Sequence, residues 1–436
     1  MVLVSTYDLG RQPFGLASPT AWLRRAGFEV TAVDLSRDQL SPATVAGATL
    51  VAFYLPMHTA TRLALPVIER VRALNPSATI AAYGLYAPLN EHLLREHGVA
   101  VVLGPEAEAD LVAVAAPPHL RTFAPPYLEK LKFIQPDRAG LPALDRYASL
   151  QMPDRSTKVV GATDATRGCR HRCRHCPIVP VYDGQFRVVP VEVVLADIRA
   201  QVEAGAAHIT FGDPDFFNGP SHARRIVEAL HAEFPLLTYD AIIKVEHLLA
   251  HRELLSTLAG TGCLFITSAV ESVDDEILEK LEKGHTRADF ITAAALCRAE
   301  GLTLVPTFVA FTPWTTLDGY RDLLDVVDDL GLTGHVPPVQ WGIRLLVTWQ
   351  SRLLELPDIQ SVIGPFDQKT LTFPWRHVDP RVDDLQQQVM KLVGVRINHS
   401  RPEIVSAIRR LTSHPRTLAP PHPRTEVPYL NEPWYC

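Results

Sequence analysis

The 436-residue sequence lacks the features that mark several classes of protein. Its six cysteines are too few and too unevenly spaced for the disulfide framework of a small secreted domain, because three of them lie within eight residues. No apolar run approaches the roughly 20 residues that a membrane-spanning helix needs. The net charge of −6 shows no excess of basic residues, which argues against nucleic acid as the main partner. We therefore expect a cytoplasmic protein that has neither a membrane nor a nucleic acid as its partner.

Strand-like and helix-like segments alternate over residues 1–115. The first residues, MVLVSTY, lack the basic segment of a secretory signal and are typical of a buried strand. Further strand patterns follow in EVTAVDL, LVAFYLP, TIAAYG and VAVVLG, with helical patterns between them. This α/β alternation predicts a doubly wound, Rossmann-like parallel sheet whose ligands bind at the carboxyl ends of the strands. Two loops at those ends contain glycine, YGLYA with Gly84 and LGPEAE with Gly104.

The rest of the chain divides into regions of different composition. Residues 116–157 are rich in Pro and basic residues and predict an extended connector. About six βα units follow over residues 158–350, which predicts a parallel barrel or partial barrel with its active site at the carboxyl ends of the strands. Residues 351–412 have mainly helical patterns. Residues 413–436 form a Pro-rich tail that cannot build a core of its own.

The segment RGCRHRCRHCP, residues 167–177, gathers three cysteines on a loop directly after the first strand of the predicted barrel. Cys169, Cys173 and Cys176 have the spacing Cys-x3-Cys-x2-Cys. Three thiolates hold three irons of a [4Fe–4S] cluster and leave the fourth iron open to a small molecule. The alternative is zinc, held by these cysteines with His171 or His175. Zinc sites favour paired Cys-x2-Cys elements, however, and the sequence has no second pair.

This cysteine spacing resembles that of the radical S-adenosylmethionine (radical SAM) enzymes, in which the motif follows the first strand of a βα barrel. The resemblance implies a partial, TIM-like barrel and a cluster whose open iron binds the amino and carboxylate groups of S-adenosylmethionine. It also implies that an electron from a flavodoxin- or ferredoxin-type donor cleaves this cosubstrate and releases a 5′-deoxyadenosyl radical. His175 stands where the family often has an aromatic residue that helps to hold the adenine.

Two further segments match the family by role. FGDPDFF, residues 211–217, ends the second barrel strand, where the family usually has a Gly-Gly-Glu-like turn that receives the methionine amino group. The resemblance makes Gly212, Asp213 and Asp215 candidates for cosubstrate binding, and the alternative is a loop turn with acidic caps. Glu271, in the strand-end segment SAVES, matches a glutamate that similar enzymes use near the cosubstrate and is a candidate catalytic residue. Its alternative is a plain strand-end carboxylate.

The remaining candidates follow Glu271 in the chain. Ser272 is a candidate for cosubstrate binding, although it also begins a capping-box pattern, S-V-D-D, for a helix that we expect to end at Gly284. Lys283 and His285 lie at the end of the same helix and are expected to face the site. Arg344 is the candidate cation for the methionine carboxylate, because a guanidinium matches a carboxylate with two parallel hydrogen bonds. The alternative for Arg344 is an ion pair at a strand end.

The N-terminal domain resembles the cobalamin-binding domain of one large radical SAM subclass. Gly84 and Gly104 lie where that subclass has its cofactor-facing glycine loops, which makes cobalamin a candidate cofactor. The D-x-H-x-x-G motif, whose histidine ligates cobalt, is absent. His58 is the nearest histidine, and we expect it to begin a helix. Without cobalamin the domain would be a vestigial or substrate-binding relative.

The tail PYLNEPWYC ends in Cys436. Together with CRHCPIVPVYDGQFRVVP and HITFGDPDFFNGP it resembles a radical SAM group whose chains end in Cys-Cys-Ala-Glu-Pro or Cys-selenocysteine-Ala-Glu-Pro. The resemblance implies a catalytic role for Cys436 and the hypothesis that an in-frame UGA codon after it was read as a stop. A thiol beside a selenol binds soft metals and metalloids. Any codon other than UGA after Cys436 refutes the hypothesis.

These observations favour a radical SAM enzyme that acts on a small-molecule substrate. Cobalamin-dependent methyl transfer and carbon–heteroatom (metalloid) bond chemistry are both open as reaction subtypes. The alternative from another class is an iron–sulfur protein that binds metals or metalloids, or senses redox state, without turnover. A third reading is a zinc-stabilised α/β protein with no radical chemistry.

Overall fold

A computed structural model describes residues 1–116, 131–396, 399–413, 416 and 427–431 of the chain. Within these residues the chain forms a doubly wound N-terminal sheet followed by a curled half-barrel sheet, as the alternating patterns predict. None of the described helices combines the length and the apolar character that crossing a bilayer requires. Cys436, most of the predicted tail and residues 117–130 of the predicted connector lie outside the described residues.

The N-terminal domain is built from short apolar strands that alternate with helices. Its strands are β1 (Val2–Ser5), β2 (Thr31–Asp34), β3 (Leu50–Tyr54), β4 (Thr79–Tyr83) and β5 (Val101–Val102). Its helices are α1 (Phe14–Arg25), α2 (Pro42–Ala46), α3 (His58–Leu74), α4 (Tyr86–Leu89), α5 (Glu91–Glu96) and α6 (Glu108–Ala115).

All five strands of this sheet are parallel, in the order β2-β1-β3-β4-β5. Helices cover both faces of the sheet and enclose two apolar cores, one around Ile68 and one around Leu111. Strands buried on both faces explain why the sequence shows continuous runs of Val, Leu, Ala and Phe. The strand order reverses between β1 and β3, which is the point where doubly wound sheets bind ligands.

The second sheet is the half-barrel. Its strands and the hairpin beside it are β6 (Ser149–Gln151), β7 (Thr157–Thr163), β8 (Thr166–Gly168), β9 (Phe186–Val188), β10 (His208–Phe211), β11 (Thr238–Ile242), β12 (Cys263–Glu271), β13 (Thr303–Phe308) and β14 (Tyr429–Leu430). The helices that follow the N-terminal domain are α7 (Val179–Tyr182), α8 (Val191–Glu203), α9 (Pro220–Glu233), α10 (Val245–Ala250), α11 (Leu255–Gly260), α12 (Asp275–Lys280), α13 (Arg287–Ala299), α14 (Leu317–Asp329), α15 (Pro357–Val362), α16 (Pro380–Val395) and α17 (Arg401–Leu411).

The strand order of the half-barrel is β13-β12-β11-β10-β7-β6-β14. The five strands β7, β10, β11, β12 and β13 are parallel, and their carboxyl ends lie along one edge. The short strands β6 and β14 add antiparallel pairs at the β7 side. Leu430 of β14 packs against the cluster that contains Leu150, Val160 and Phe265.

The prediction of a sixth barrel strand from the segment VQWGIRLLVT is wrong. Residues Pro338–Gly342 form a 3-10 helix, and the segment touches β-structure only through one isolated bridge between Phe311 and Arg344. Pro338 begins this 3-10 helix, where the fixed φ of proline is favourable and its missing N–H is not needed.

The predicted helical region over residues 351–412 is confirmed only in part. Helices α15, α16 and α17 lie in it, but between α15 and α16 the chain forms two isolated antiparallel bridges, Ile363 to Trp375 and Asp367 to Thr372. Gly364, Pro365 and Pro374 break the helical pattern in this segment. The segment reaches the N-terminal domain, where the Thr370 carbonyl lies 2.5 Å from His58 Nε2.

Candidate active site

The cysteine loop is closed at its base by a two-stranded hairpin. β8 pairs antiparallel with β9, so residues 169–185 leave the hairpin and return to it. Gly168, at φ +79°, begins this excursion, and a Cβ there would lie 2.6 Å from the carbonyl oxygen of Gln185. Only glycine fits such a position. Because β8 follows β7 directly, the loop lies at the carboxyl ends of the parallel strands.

The three motif cysteines are free thiols in a largely buried setting. Cys169 and Cys173 are buried and Cys176 is partly exposed. Burial raises the pKa of Cys169 to about 11 and that of Cys176 to about 12. Lys244 Nζ lies 3.8 Å from Cys173 Sγ, and both Lys244 and Lys283 are buried. Two buried ammonium groups next to buried thiols fit a thiolate-bound iron cluster, because they offset its negative charge away from water.

Glu271 is the centre of an ion-paired group at the end of β12. Its Oε1 lies 3.2 Å from His175 Nε2 and 3.4 Å from Lys283 Nζ. Burial alone would raise the pKa of Glu271. Lys283 and His175 outweigh this effect and lower the pKa to about 2, so the carboxylate is charged. Glu271 also has φ +68°, a conformation that is rare outside glycine and that clusters at functional sites. Burial, together with the charges of Lys283 and Lys244, lowers the pKa of the buried His285 to about 4.

Gly212 lies where the second barrel strand meets the N-terminal domain. Its N–H donates to the Thr163 carbonyl over 2.8 Å. A Cβ at this position would lie 2.5 Å from Asp164 Oδ1 and 3.4 Å from Arg11 Nη1. Glycine therefore allows a side chain from each domain to approach the strand end, which leaves the backbone of this turn close to the site.

Asp213 is fully buried and makes its hydrogen bonds within the protein. Its carboxyl group accepts from Ala165 N over 2.9 Å and from Thr166 Oγ1 over 2.5 Å. Burial, and then the nearby Asp164, raise the pKa of Asp213 to about 8. These contacts hold the start of β8, which leads into the cysteine loop.

Asp215 lies at the centre of a group of histidines. Its Oδ2 is 2.7 Å from His247 Nδ1 and 3.5 Å from His171 Nε2. Its Oδ1 caps a 3-10 helix by accepting from Phe217 N, which confirms the acidic-cap alternative for this residue. Burial raises the pKa of Asp215, and the two imidazoles more than offset this, so that the pKa lies below its ordinary value. His171 comes from the cysteine loop and His247 from α10.

The expected capping role of Ser272 is wrong. Asp274, not Ser272, is the N-cap of α12, and its carboxylate accepts from the backbone N–H groups of Glu276 and Ile277. The Ser272 hydroxyl accepts from Asp274 N over 3.1 Å. The helix also ends earlier than Gly284, with its C-cap at Leu281.

Arg344 is engaged away from the cysteine loop. Its Nη1 lies 2.6 Å from Asp383 Oδ1, its Nη2 donates to the Trp375 carbonyl, and its guanidinium stacks on the Trp375 ring at 3.4 Å. These contacts join the end of the barrel segment to α16 and match the ion-pair alternative. Its proposed role toward the methionine carboxylate stays a prediction without structural support.

The two glycine loops of the N-terminal domain are joined to each other. Gly84 N donates to the Gly104 carbonyl over 3.1 Å. At Gly84, φ is +106° and a Cβ would lie 2.7 Å from the Leu55 carbonyl oxygen. His58 begins α3, as predicted, and its ring lies edge-on to Tyr86 while Nε2 contacts the Thr370 carbonyl. His58 therefore packs against Tyr86 of the first glycine loop, with Nε2 engaged by Thr370.

Several site residues are absent from the sequence-based candidates. Lys244 and His247 lie in the segment IKVEHLL, directly after β11. A polar side chain at or just past the end of a barrel strand is the signal that indicated Glu271, and the same signal could have indicated these two residues. Glu108 ends the predicted cofactor loop LGPEAE and is not a candidate by itself. In the structure it pairs with Arg167 at the start of the cysteine loop.

Comparison with known families identifies the domain around these residues. The sequence model of the radical SAM superfamily matches residues 164–326, which include all three motif cysteines, Glu271 and Lys283. A tRNA-2-methylthio-N(6)-dimethylallyladenosine synthase of Fusobacterium nucleatum is 26% identical over 182 residues, covering 37% of this chain and 39% of that protein. The hopanoid C-3 methylase of Methylococcus capsulatus is 26% identical over 149 residues, covering 34% of this chain and 28% of that protein. The chain thus spans well under half the length of these relatives.

Solved structures resemble the chain over more of its length. OxsB, a cobalamin-dependent S-adenosylmethionine radical enzyme solved with aqua-cobalamin and S-adenosylmethionine bound, matches with a TM-score of 0.67 at 14% identity, covering 91% of this chain and 66% of that one. TsrM from Kitasatospora setae, a radical S-adenosylmethionine methyltransferase solved with a tryptophan substrate, matches with a TM-score of 0.59 at 18% identity, covering 76% of this chain and 71% of that one. At these identities the likeness shows the fold: an α/β domain followed by a radical SAM half-barrel.

Proposed function

We propose that this chain, which carries a radical SAM domain over residues 164–326, is a radical SAM enzyme that cleaves S-adenosylmethionine and acts on a further substrate. The observation that carries the proposal is the set of three free cysteines on a loop at the carboxyl ends of the half-barrel strands, beside two buried lysines. Cys169, Cys173 and Cys176 would hold the [4Fe–4S] cluster. The bound cluster supplies the electron that cleaves the cosubstrate into methionine and a 5′-deoxyadenosyl group.

The residues around Glu271 are suited to hold the cosubstrate. The Glu271 carboxylate is charged, and it is fixed by Lys283 and His175, so it can accept hydrogen bonds from ammonium or hydroxyl groups without reorganising. His175 lies on the cysteine loop beside this carboxylate, where its ring can stack on an adenine. Gly212 is the weaker candidate for this role, because its N–H already donates to the Thr163 carbonyl and the Asp164 side chain lies over it.

The concave face of the half-barrel offers room for a small substrate. Ile242, Ala269 and Thr307 lie on the same face as Phe265, because they alternate along paired strands, and all three are partly exposed. Their side chains are apolar or carry one hydroxyl, which suits a compact organic molecule. The net charge of −6 agrees with a small-molecule substrate. Nucleic acid stays open as a substrate, however, because several relatives are named for the modification of tRNA.

Cobalamin is the second cofactor that we propose, with methyl transfer as the reaction subtype that it favours. The strands of the N-terminal sheet end near Gly84 and Gly104, and the absence of a side chain at Gly84 lets the ends of three strands pack closely at this edge. This fits a cofactor held by backbone and shape. The loops YGLYA and LGPEAE contain no histidine, and the nearby His58 uses Nε2 for the Thr370 carbonyl.

The experiment is anaerobic loading of the protein with iron and sulfide, followed by addition of S-adenosylmethionine and a reductant. Mass spectrometry then measures 5′-deoxyadenosine and methionine. We expect product from the wild type and none above background from Cys173→Ala. Cys297→Ala is the matched control, because Cys297 is a buried thiol in α13, remote in sequence from the motif, and it should retain the wild-type yield.

The same experiment separates the enzyme from its alternatives. A fully loaded cluster that yields no 5′-deoxyadenosine in the wild type would contradict the proposal and favour a metal-binding or redox-sensing protein. A colourless protein that retains zinc through the cysteines would favour the zinc-stabilised alternative. Product formation that persists in Cys173→Ala would show that the motif does not hold the reactive cluster.

A further inference from the structure

A second group of metal-binding side chains lies beside the cysteine loop. His171, Asp215 and His247 each offer a ligand atom, and these atoms lie within 4.8 Å of one another. Asp215 is fully buried and His247 nearly so, while the His171 side chain is 13% exposed. The three residues come from three separate segments: the cysteine loop, the loop after β10, and α10. We propose that they bind one divalent transition-metal ion, which is distinct from the iron–sulfur cluster.

The contact between Asp215 and His247 is the first observation behind this site. Asp215 Oδ2 and His247 Nδ1 are only 2.7 Å apart, a distance that suits a hydrogen bond. Nevertheless both atoms are buried and neither makes a hydrogen bond of acceptable geometry. The contact is an ion pair, but buried polar atoms without a well-directed hydrogen bond are uncommon. A cation bound between them would satisfy both atoms at once.

The third ligand is oriented from outside the group. His171 Nδ1 lies 3.4 Å from Glu246 Oε2, so Glu246 can accept a hydrogen bond from the Nδ1–H, which leaves Nε2, 3.5 Å from Asp215 Oδ2, as the ligand atom. A carboxylate behind a histidine is the usual arrangement that fixes the tautomer of a metal ligand. His171 Nε2 also lies 3.2 Å from His247 Nε2, and a bound cation has to displace this contact.

The chemistry of the three ligands selects the ion. Two imidazoles and one carboxylate suit Fe(II), Mn(II) and Zn(II), and three protein ligands leave coordination positions for water or another small ligand. The negative charges of Asp215 and Glu246 favour a dication, and the ammonium of Lys244, 3.4 Å from Glu246 Oε2, opposes it only in part. Such an ion would tie the cysteine loop to the strand end and to α10.

Zinc retention by the full chain tests the site. The cluster-loaded protein is incubated with Zn(II), desalted without chelator, and its zinc and iron contents are measured by plasma mass spectrometry. We expect about one zinc per chain with the cluster iron unchanged. We expect background zinc in His247→Ala. The matched control is His251→Ala: this ring lies 5.8 Å from that of His247 on the next turn and is outside the ligand set. The control should retain zinc like the wild type.

A second arm makes the result independent of the cluster. In the full chain with all three motif cysteines changed to serine, zinc should still bind, and Asp215→Asn in that background should abolish the binding. The proposal is overturned if the wild type and the triple-serine chain both retain no zinc, or if zinc rises only as cluster iron falls. Equal zinc in His247→Ala and the wild type would overturn it as well. None of these zinc outcomes decides whether 5′-deoxyadenosine is formed.

Discussion

Arg167 Nη1 lies 2.7 Å from Glu108 Oε1, and both side chains are less than one-tenth exposed. Glu108 begins α6 of the N-terminal domain, and Arg167 lies in β8, two residues before the first motif cysteine. The Ser18 hydroxyl, from α1, adds hydrogen bonds to both partners. The N-terminal domain is therefore bonded directly to the base of the cysteine loop.

We predict that Glu108→Gln destabilises the protein strongly. The substitution removes the carboxylate that pairs directly with the buried Arg167 guanidinium and leaves the nearby Asp164 to oppose its charge. Removal of one partner of a buried pair costs about 3–5 kcal/mol of the free energy of unfolding. The matched control is Asp38→Asn, which breaks the exposed Arg146–Asp38 pair at 2.9 Å and should change the free energy by about 1 kcal/mol or less. Urea denaturation followed by circular dichroism measures both. Equal stabilities of the two variants would contradict the prediction.

We predict that Glu271→Gln lowers the rate of 5′-deoxyadenosine formation by about tenfold or more. The change removes a charged acceptor and leaves Lys283 buried without its partner, and charge-assisted hydrogen bonds contribute about 1.5–3 kcal/mol. The control is Glu276→Gln, an exposed residue on α12 that should keep the wild-type rate. The cluster absorbance confirms that both variants are loaded. A wild-type rate in Glu271→Gln would remove Glu271 from the site.

Asp8 gives the stability a pH dependence that a single substitution should reduce. Burial raises the pKa of Asp8 from 3.8 to about 7, against the opposing charge of Arg11. Because the folded state then holds a proton that the unfolded state has lost, Asp8 contributes a decrease in stability as the pH rises from about 4 to about 7. Thermal melting of Asp8→Asn across this interval should show a flatter profile than the wild type. The same slope in both proteins would show that Asp8 is charged when folded.

Gly84 and Gly27 provide a matched test of the glycine loop. Both have positive φ, +106° and +87°, but a Cβ at Gly84 meets the Leu55 carbonyl at 2.7 Å, whereas nothing lies within 4 Å of one at Gly27. Gly27→Ala should cost about 1–2 kcal/mol through backbone conformation alone. Gly84→Ala adds a clash with backbone, so its melting temperature should fall further. Similar melting temperatures would show that the loop relaxes freely.

The sequence patterns predicted the strands and helices that alternate along the chain. They did not predict contacts between residues that are distant in sequence, because those contacts depend on the topology. Strand and helix alternation over residues 1–115 and 158–308 is a local signal, so both sheets and the cysteine loop were predicted. The strands β6 and β14 escaped prediction because two or three residues carry no periodicity. Arg344 has the right residue type for a carboxylate ligand, but only the fold shows that Asp383 and Trp375 already engage it. The grouping of His171 with Asp215 and His247 likewise follows from the fold.

The most direct test of the central claim is whether S-adenosylmethionine binds to the cluster itself. The electron paramagnetic resonance spectrum of the reduced, cluster-loaded protein is recorded before and after the cosubstrate is added. If Cys169, Cys173 and Cys176 leave one iron open, the cluster signal should shift on addition of S-adenosylmethionine, and Cys297→Ala should behave like the wild type. An intact cluster whose spectrum is unchanged by saturating S-adenosylmethionine would contradict the account.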